Sequence, residues 1–279
     1  MKYFDLPAFP LEEWTNDFVD NWLLPNLSSF FDSISDFLSK IIDGVTKGLL
    51  FIPPEFFILL VIIIAWRVAG IGTAIFALLG AFYIASVGLW EESMQTLSIV
   101  IVATLLSIAV GIPVGVMSAL NRTIDAIVRP ILDFMQTLPS FVYLIPSILL
   151  FGLGSVPAVI ATFIFAAPPA VRMTTLGIRQ VPQDVIEASK AFGSTTRQLL
   201  FKVQLPLAIP TIMAGVNQAI MLALSMAVVA SMIGAPGLGT TVLKGISTVN
   251  VGLGLTGGLG IVVLAIVLDR ITQNLQKKS

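Results

Sequence analysis

The stretch VPQDVIEASKAFGSTTRQLLFKVQLP, residues 181–206, decides how this chain is read. It lies between two apolar runs yet carries Asp184, Glu187, Lys190, Arg197 and Lys202, in a sequence with only 11% charged residues. Pro182 suits the first position of a helix, and Asp184 and Glu187 fall in early turns, where the helix dipole favours anions. Lys190 follows Glu187 at a spacing that allows an ion pair. Gly193 is expected to end this helix. Val185, Ala188 and Phe192 share one face, a second short helix runs to about Lys202, and Leu205-Pro206 opens the next apolar run. The segment is too polar to insert into a bilayer and too apolar on one side to stay bare. It suits a groove on another protein.

The rest of the chain says where that groove would lie. Hydrophobic residues make up 56% of the sequence. The mean hydropathy is +0.97, and several apolar stretches approach the ~20 residues a helix needs to cross the hydrocarbon core. The expected fold is therefore an all-α integral membrane protein of about seven spans, at 56–69, 71–90, 95–120, 131–151, 156–171, 207–232 and 255–268. With seven spans, eleven of the fifteen Lys and Arg fall on one side and eleven of the sixteen acids on the other. Basic loops stay cytoplasmic. This predicts an external N-terminus, a cytoplasmic C-terminus and a cytoplasmic residue 181–206 segment, in a multi-pass protein of the cell membrane.

Residues 1–25 carry Asp5, Glu12, Glu13, Asp17 and Asp20 where a cleaved signal would be apolar, so no signal peptide is expected. From Phe30, apolar residues Phe31, Ile34, Phe37, Leu38, Ile41, Ile42, Val45 and Leu49 recur at helical spacing, with Asp32, Asp36, Lys40, Asp43 and Lys47 opposite. Two readings stay open: an amphipathic helix in the outer membrane interface, with a docking or scaffold role, or a helix packed on the outside of the bundle. The division expected is residues 1–54 as tail and amphipathic helix, 55–92 as two spans, and 93–275 as a transport core.

Cysteine and histidine are absent, which removes disulfides, imidazole or thiolate metal sites and Ser-His relays. No G-x-x-x-x-G-K-[ST] phosphate loop occurs, so ATP hydrolysis by that route is not expected of this chain. Gly252, Gly254 and Gly257 satisfy G-x-G-x-x-G, but without a preceding strand the match is spurious. GAPGLG, residues 234–239, reads as a flexible external turn near a pore mouth.

Glu187-Ala188-Ser189, Gly193 six residues after Glu187, and Val203-Gln204-Leu205-Pro206 resemble the EAA loop of ABC importer permeases, with Ser189 in place of the second Ala and Val203 in place of Ile. Segments from about Ser93 to Gln273, among them TLPSFVYLIPSILLFGLGSVPAVIATFIFAAPPAVRMTTLGIRQ, look like the permeases of glycine betaine/proline betaine importers. The resemblance implies a coupling helix seated in a cytoplasmic ATPase, carried here by Asp184, Glu187, Ala188, Ser189, Ala191, Gly193, Leu205 and Pro206. It also implies two identical permeases, two ATPase subunits that hold ATP and Mg²⁺, and an external substrate-binding protein. No cofactor of its own and no nucleic-acid partner are expected. Other solutes, such as choline, carnitine or an amino acid, are the alternative cargo.

Two polar stripes are candidates for the translocation path. In the expected fourth span Asp133, Gln136, Thr137, Ser140, Tyr143 and Ser147 step by three or four residues along one helix face. In the sixth, Asn217, Gln218, Met221 and Ser225 form a second stripe. Polar groups avoid lipid, so these either line the route, with Tyr143 offering its ring to a cation, or join helices together. Gly111 and Gly115, with Thr104, Ser107 and Ser118 on the same face, suggest close helix packing, and Pro113 a kink. Pro139, Pro146 and Pro168-Pro169 are expected to break or bend their helices. A secondary transporter would call for inverted repeats or several intramembrane acids, and an enzyme for a nucleophile and base at mid-span; neither pattern is clear.

Overall fold

The computed structural model describes residues 10–278, and no strand occurs among them. Residues 1–9 of the expected external tail lie outside the described residues. Helix α1, Leu11–Phe18, passes through a wider π-helical turn into α2, Leu24–Phe51. The apolar face of α2 is docked on the bundle: Leu38 and Ile42 are buried in the main core. Thr46 donates its hydroxyl to Ser98 Oγ at 2.8 Å, and Ser98 in turn donates to the Ile42 carbonyl. Phe31 meets the ring of Phe151 edge-on at 5.6 Å. Of the two readings of this helix, packing against the bundle is therefore observed. It meets the next helix at 96°.

That next helix, α3, Pro54–Ala69, forms a hairpin with α4, Ile71–Ser86. Each has 16 residues, about 24 Å at 1.5 Å per residue, less than the ~30 Å hydrocarbon core. Trp90, expected inside the second span, instead begins α5, Trp90–Leu120. Then come α6, Arg122–Thr137; α7, Leu144–Phe151; α8, Ser155–Arg179; α9, Gln183–Ala191; α10, Thr196–Leu199; α11, Leu205–Val229; α12, Leu238–Ser247; and α13, Val251–Lys278. Four helices, built on α5, α8, α11 and α13, are long and apolar enough to cross a membrane alone.

Small residues explain how the centre packs. A Cβ on Gly111 would come within 2.8 Å of Ala170 Cβ, and one on Gly115 within 2.6 Å of Thr174 Cβ. The pairing of 111 with 170 and 115 with 174 makes α5 and α8 run side by side in one direction. Thr175 donates to the Gly115 carbonyl at 3.0 Å, closing the seam with a hydrogen bond. On the other side of α8, Gly177 abuts Ala208 and Thr211, while Gly215 abuts Met173 and the Pro169 carbonyl, so α11 runs antiparallel to α8. Without a hydrophobic drive inside lipid, such close backbone approach is a main source of helix association. The expected close packing at Gly111 and Gly115 is present.

Four expectations are corrected. The fourth span is not one helix: α6 ends at Thr137, a short 3-10 turn covers Ser140–Tyr143, and the chain bends by 108° before running through α7. Pro139 supplies no N–H to continue the ladder and its predecessor Leu138 is extended (ψ 135°), which stops α6. Pro168-Pro169 breaks nothing; α8 runs unbroken through both, each buried. GAPGLG is a packed turn: Ala235 and Leu238 are buried, and the Leu238 N–H donates to Thr96 Oγ1 at 2.8 Å. The last helix starts four residues before the expected span and continues ten beyond it.

Candidate functional site

The expected coupling segment, residues 181–206, is an exposed helix on a buried footing. Pro182 caps α9, whose first turn holds Asp184. The helix stops at Gly193, where φ is +78° and no neighbour lies within 4 Å of a would-be Cβ, so conformation and not space demands glycine. Ser189 and Ser194 hold the turn together, their hydroxyls 2.7 Å apart and Ser194 Oγ also donating to the Ser189 carbonyl. Thr195 then caps α10 reciprocally with Gln198, a capping box. A second π-helical turn, Leu200–Gln204, leads into α11 with Leu205 and Pro206 in its first turn. Beneath, Ile178, Leu200, Ala208 and Ile212 form a small core against which Leu205 packs.

Above this footing Asp184, Glu187, Ala188 and Ala191 are exposed and Ser189 is half-buried. Phe192 is 92% exposed. The expected Glu187–Lys190 ion pair does not form: the ion pairs among the described residues are Asp125–Arg129, Asp133–Arg172 and Asp125–Arg179. Instead Arg197 stacks over Phe201 at 6.0 Å.

Two of these, Asp133–Arg172 and Asp125–Arg179, join α6 to α8 near residues 181–206, while Asp125–Arg129 lies within α6, and sequence reasoning had missed all three. Asp125, in the polar connection between Leu120 and the apolar run of α7, accepts from Arg179 at 2.9 Å and Arg129 at 2.8 Å through one oxygen. The Arg179 hydrogen bond, and then its charge and that of Arg129, hold the Asp125 carboxyl below the usual range, while burial opposes them. Arg179 also donates to the Ser118 carbonyl at 2.6 Å, tying the ends of α5 and α8. Asp133, placed by sequence on the first polar stripe, is taken up by Arg172 at 2.6 Å.

The break after α6 divides that stripe. Gln136 and Thr137 are exposed at the end of α6, Ser140 is half-buried in the turn, and Ser147 is buried with its hydroxyl on the Tyr143 carbonyl. Tyr143 is 6% exposed, beside Phe165, and its hydroxyl donates to the Met135 carbonyl. Its ring is thus part of the core and offers no open face to a cation. The second stripe is divided too: Asn217 donates to Asp269 at 3.0 Å and accepts from Thr272, so its amide joins α11 to α13. Gln218 and Ser225 are exposed and Met221 is half-buried. With the half-buried Thr211 and Ala214 they form one open face of α11, small and polar, and α11 touches the Ser140–Tyr143 turn. A lipid-facing surface would carry bulkier apolar side chains.

An all-helical core with such a loop between two spans is the architecture of a membrane transport component. The family of binding-protein-dependent transport system inner membrane components matches residues 111–279. The chain belongs to that family. It is 49% identical over 273 residues to the glycine betaine transport system permease protein OpuAB of Bacillus subtilis (strain 168), covering 98% of this chain and 96% of that protein. With the glycine betaine/proline betaine transport system permease protein ProW of Escherichia coli (strain K12), identity is 47%, over 99% of this chain and 78% of the relative. Among solved structures, an inward-facing MetNI methionine ABC transporter matches with a TM-score of 0.59 at 23% identity, over 66% of this chain and 92% of the other. The fold is shared with it.

Proposed function

We propose that this chain is the permease subunit of an ATP-driven importer that carries a quaternary-ammonium osmolyte, glycine betaine or proline betaine, into the cell. The cargo reading rests on the glycine betaine and glycine betaine/proline betaine permeases that share nearly half of their residues with it over their aligned lengths. The observation that carries the transport reading is the coupling segment: Phe192, Asp184 and Glu187 stand exposed on a helix whose base is fixed in the bundle. An exposed aromatic beside acids suits a docking element.

In this reading a cytoplasmic ATPase takes α9 in a groove, with Glu187, Ala188, Ala191 and Phe192 in contact and Ser189, Gly193, Leu205 and Pro206 shaping and seating the loop. ATP and Mg²⁺ are held by that separate subunit. Two copies of the chain face each other across a path lined by the open face of α11 (Gln218, Met221, Ser225) and by Gln136 and Ser140 beside it. Tyr143, Ser147 and Asn217 position these elements. A substrate-binding protein delivers cargo from outside. Residues 93–275 act as the transport core, with 55–92 an added hairpin and 1–54 an external strap. Movement of the ATPase pair shifts α9 and switches the path between inward- and outward-facing states.

The test is uptake of labelled glycine betaine into proteoliposomes holding the chain, its ATPase and its binding protein, with ATP inside and ion gradients collapsed. ATP-dependent uptake is the expected result. Uptake by the chain alone, abolished by ionophores, would replace this reading with a secondary transporter.

A further inference from the structure

Apart from Gln136 at its C-terminal end, helix α6 has two faces that the transport reading leaves unused. Ile127, Ile131 and Phe134 follow one another at four and three residues, and each is more than half exposed. The opposite side carries Asp125, Arg129 and Asp133, two of which pair with α8. An amphipathic helix with an open apolar face, bent by 108° from the apolar helix it feeds, has the form of a helix seated along the membrane surface. Its polar side then stands at headgroup depth.

Between α6 and α8 lies a cavity of about 340 Å³. Val128, Leu132, Val171 and Leu176 give it an apolar floor, while Arg129, Arg172 and Arg179 line its rim. The groove continues to Arg122. Four arginines against two aspartates, Asp125 and Asp133, leave a formal charge of +2. Clamping α6 to α8 needs only Asp125–Arg179 and Asp133–Arg172. Arg129 shares the Asp125 oxygen already bound by Arg179, its side chain is 64% exposed, and Arg122 has no ion pair among the described residues.

We propose that this groove binds the headgroup of an anionic phospholipid, with the phosphate between Arg122 and Arg129 and the acyl chains passing over the apolar floor. The surplus charge selects an anion, since guanidinium forks match phosphate oxygens. The apolar floor and the headgroup depth select a lipid over a free phosphate, as basic cavities between helices on the cytoplasmic side do.

The experiment counts lipid on the full-length chain by native mass spectrometry, titrating phosphatidylglycerol or phosphatidylcholine, with inorganic phosphate as competitor. Phosphatidylglycerol is expected to bind in preference to phosphatidylcholine. Arg122→Gln with Arg129→Gln should weaken it roughly 30-fold, at about fivefold per basic residue near the surface. The control pair Lys190→Gln and Arg197→Gln removes the same charge from the same end outside the groove, and should leave binding unchanged. Leu176→Trp, which fills the floor without changing charge, should also displace the lipid. Equal retention of both lipids by the unmodified chain, equal loss in groove and control pairs, or an unaffected Leu176→Trp chain would each overturn the site. Displacement of phosphatidylglycerol by inorganic phosphate at matching concentration would assign the groove to free phosphate and overturn the lipid.

Discussion

Ser189 and Ser194 close the turn after α9 on each other, hydroxyl to hydroxyl at 2.7 Å, with Ser194 Oγ donating to the Ser189 carbonyl at 2.6 Å. Ser189 stands where the EAA pattern has alanine, so the substitution has a local use. Ser194→Ala removes both contacts and should loosen the turn by about 1 kcal/mol. Ser189→Ala keeps the bond to its own carbonyl and should be milder. Hydrogen exchange across residues 189–195 checks the order; equal protection in both variants would deny the turn its clasp.

Gly193 ranks its own substitutions. At φ +78° asparagine is tolerated, while a β-branched residue is strained by roughly 1–2 kcal/mol or more. Gly193→Asn should retain ATPase copurification and most uptake, and Gly193→Val should lose both. Glu187→Lys, which reverses an exposed charge without strain, should lower copurification with the fold intact. Full uptake in Gly193→Val and Glu187→Lys together would take α9 out of the coupling role.

The α5–α8 seam is sensitive to one methyl group. Gly115→Ala places a Cβ 2.6 Å from Thr174 Cβ and 2.7 Å from the Val171 carbonyl, an overpacking that costs about 1–3 kcal/mol. Gly44→Ala, at a helical site with nothing within 4 Å, should instead stabilise by ~0.5–1 kcal/mol. Thermal unfolding in detergent reads both signs.

Asp125 gives the basic end a pH dependence. Because its folded carboxyl titrates below the ordinary range, its contribution is complete above that range and is lost as pH falls through the lowered value. Arg179→Gln should flatten this acid limb and lower the melting temperature at neutral pH, since Arg179 also holds the Ser118 carbonyl. An unchanged acid limb in that variant would show that other carboxylates set it.

The two polar stripes separate by stability. Gln218→Leu and Ser225→Leu should cut uptake with little change in melting temperature, as both side chains are exposed. Tyr143→Phe should do the reverse, losing about 1 kcal/mol with its hydrogen bond to the Met135 carbonyl and keeping transport. Unchanged uptake in Gln218→Leu and Ser225→Leu would remove the open face of α11 from the path.

The helix–turn–helix form of residues 181–206 was legible in sequence because its signals are local: Pro182, Gly193 and Leu205-Pro206 act on their own backbone. The long helices were legible for the same reason, through continuous apolar runs. The fourth span was misread because periodicity continued across Leu138-Pro139 while the backbone did not, so residues that share a face on paper are split between two helices. Tyr143 and Asn217 stayed between two readings for another reason. A polar side chain in an apolar run states a need for a partner, and only the fold shows that the partners are the Met135 carbonyl and Asp269. The ion pairs of Asp125 and Asp133 reach 54 and 39 residues along the chain, beyond any spacing rule.

The glycine seam between α5 and α8 has a mechanical side. Backbones in contact at Gly111 and Gly115 leave no soft side-chain layer to compress, and α8 ends only a few residues before α9 begins. A push on Phe192 therefore meets a stiff two-helix strut, which transmits displacement instead of absorbing it.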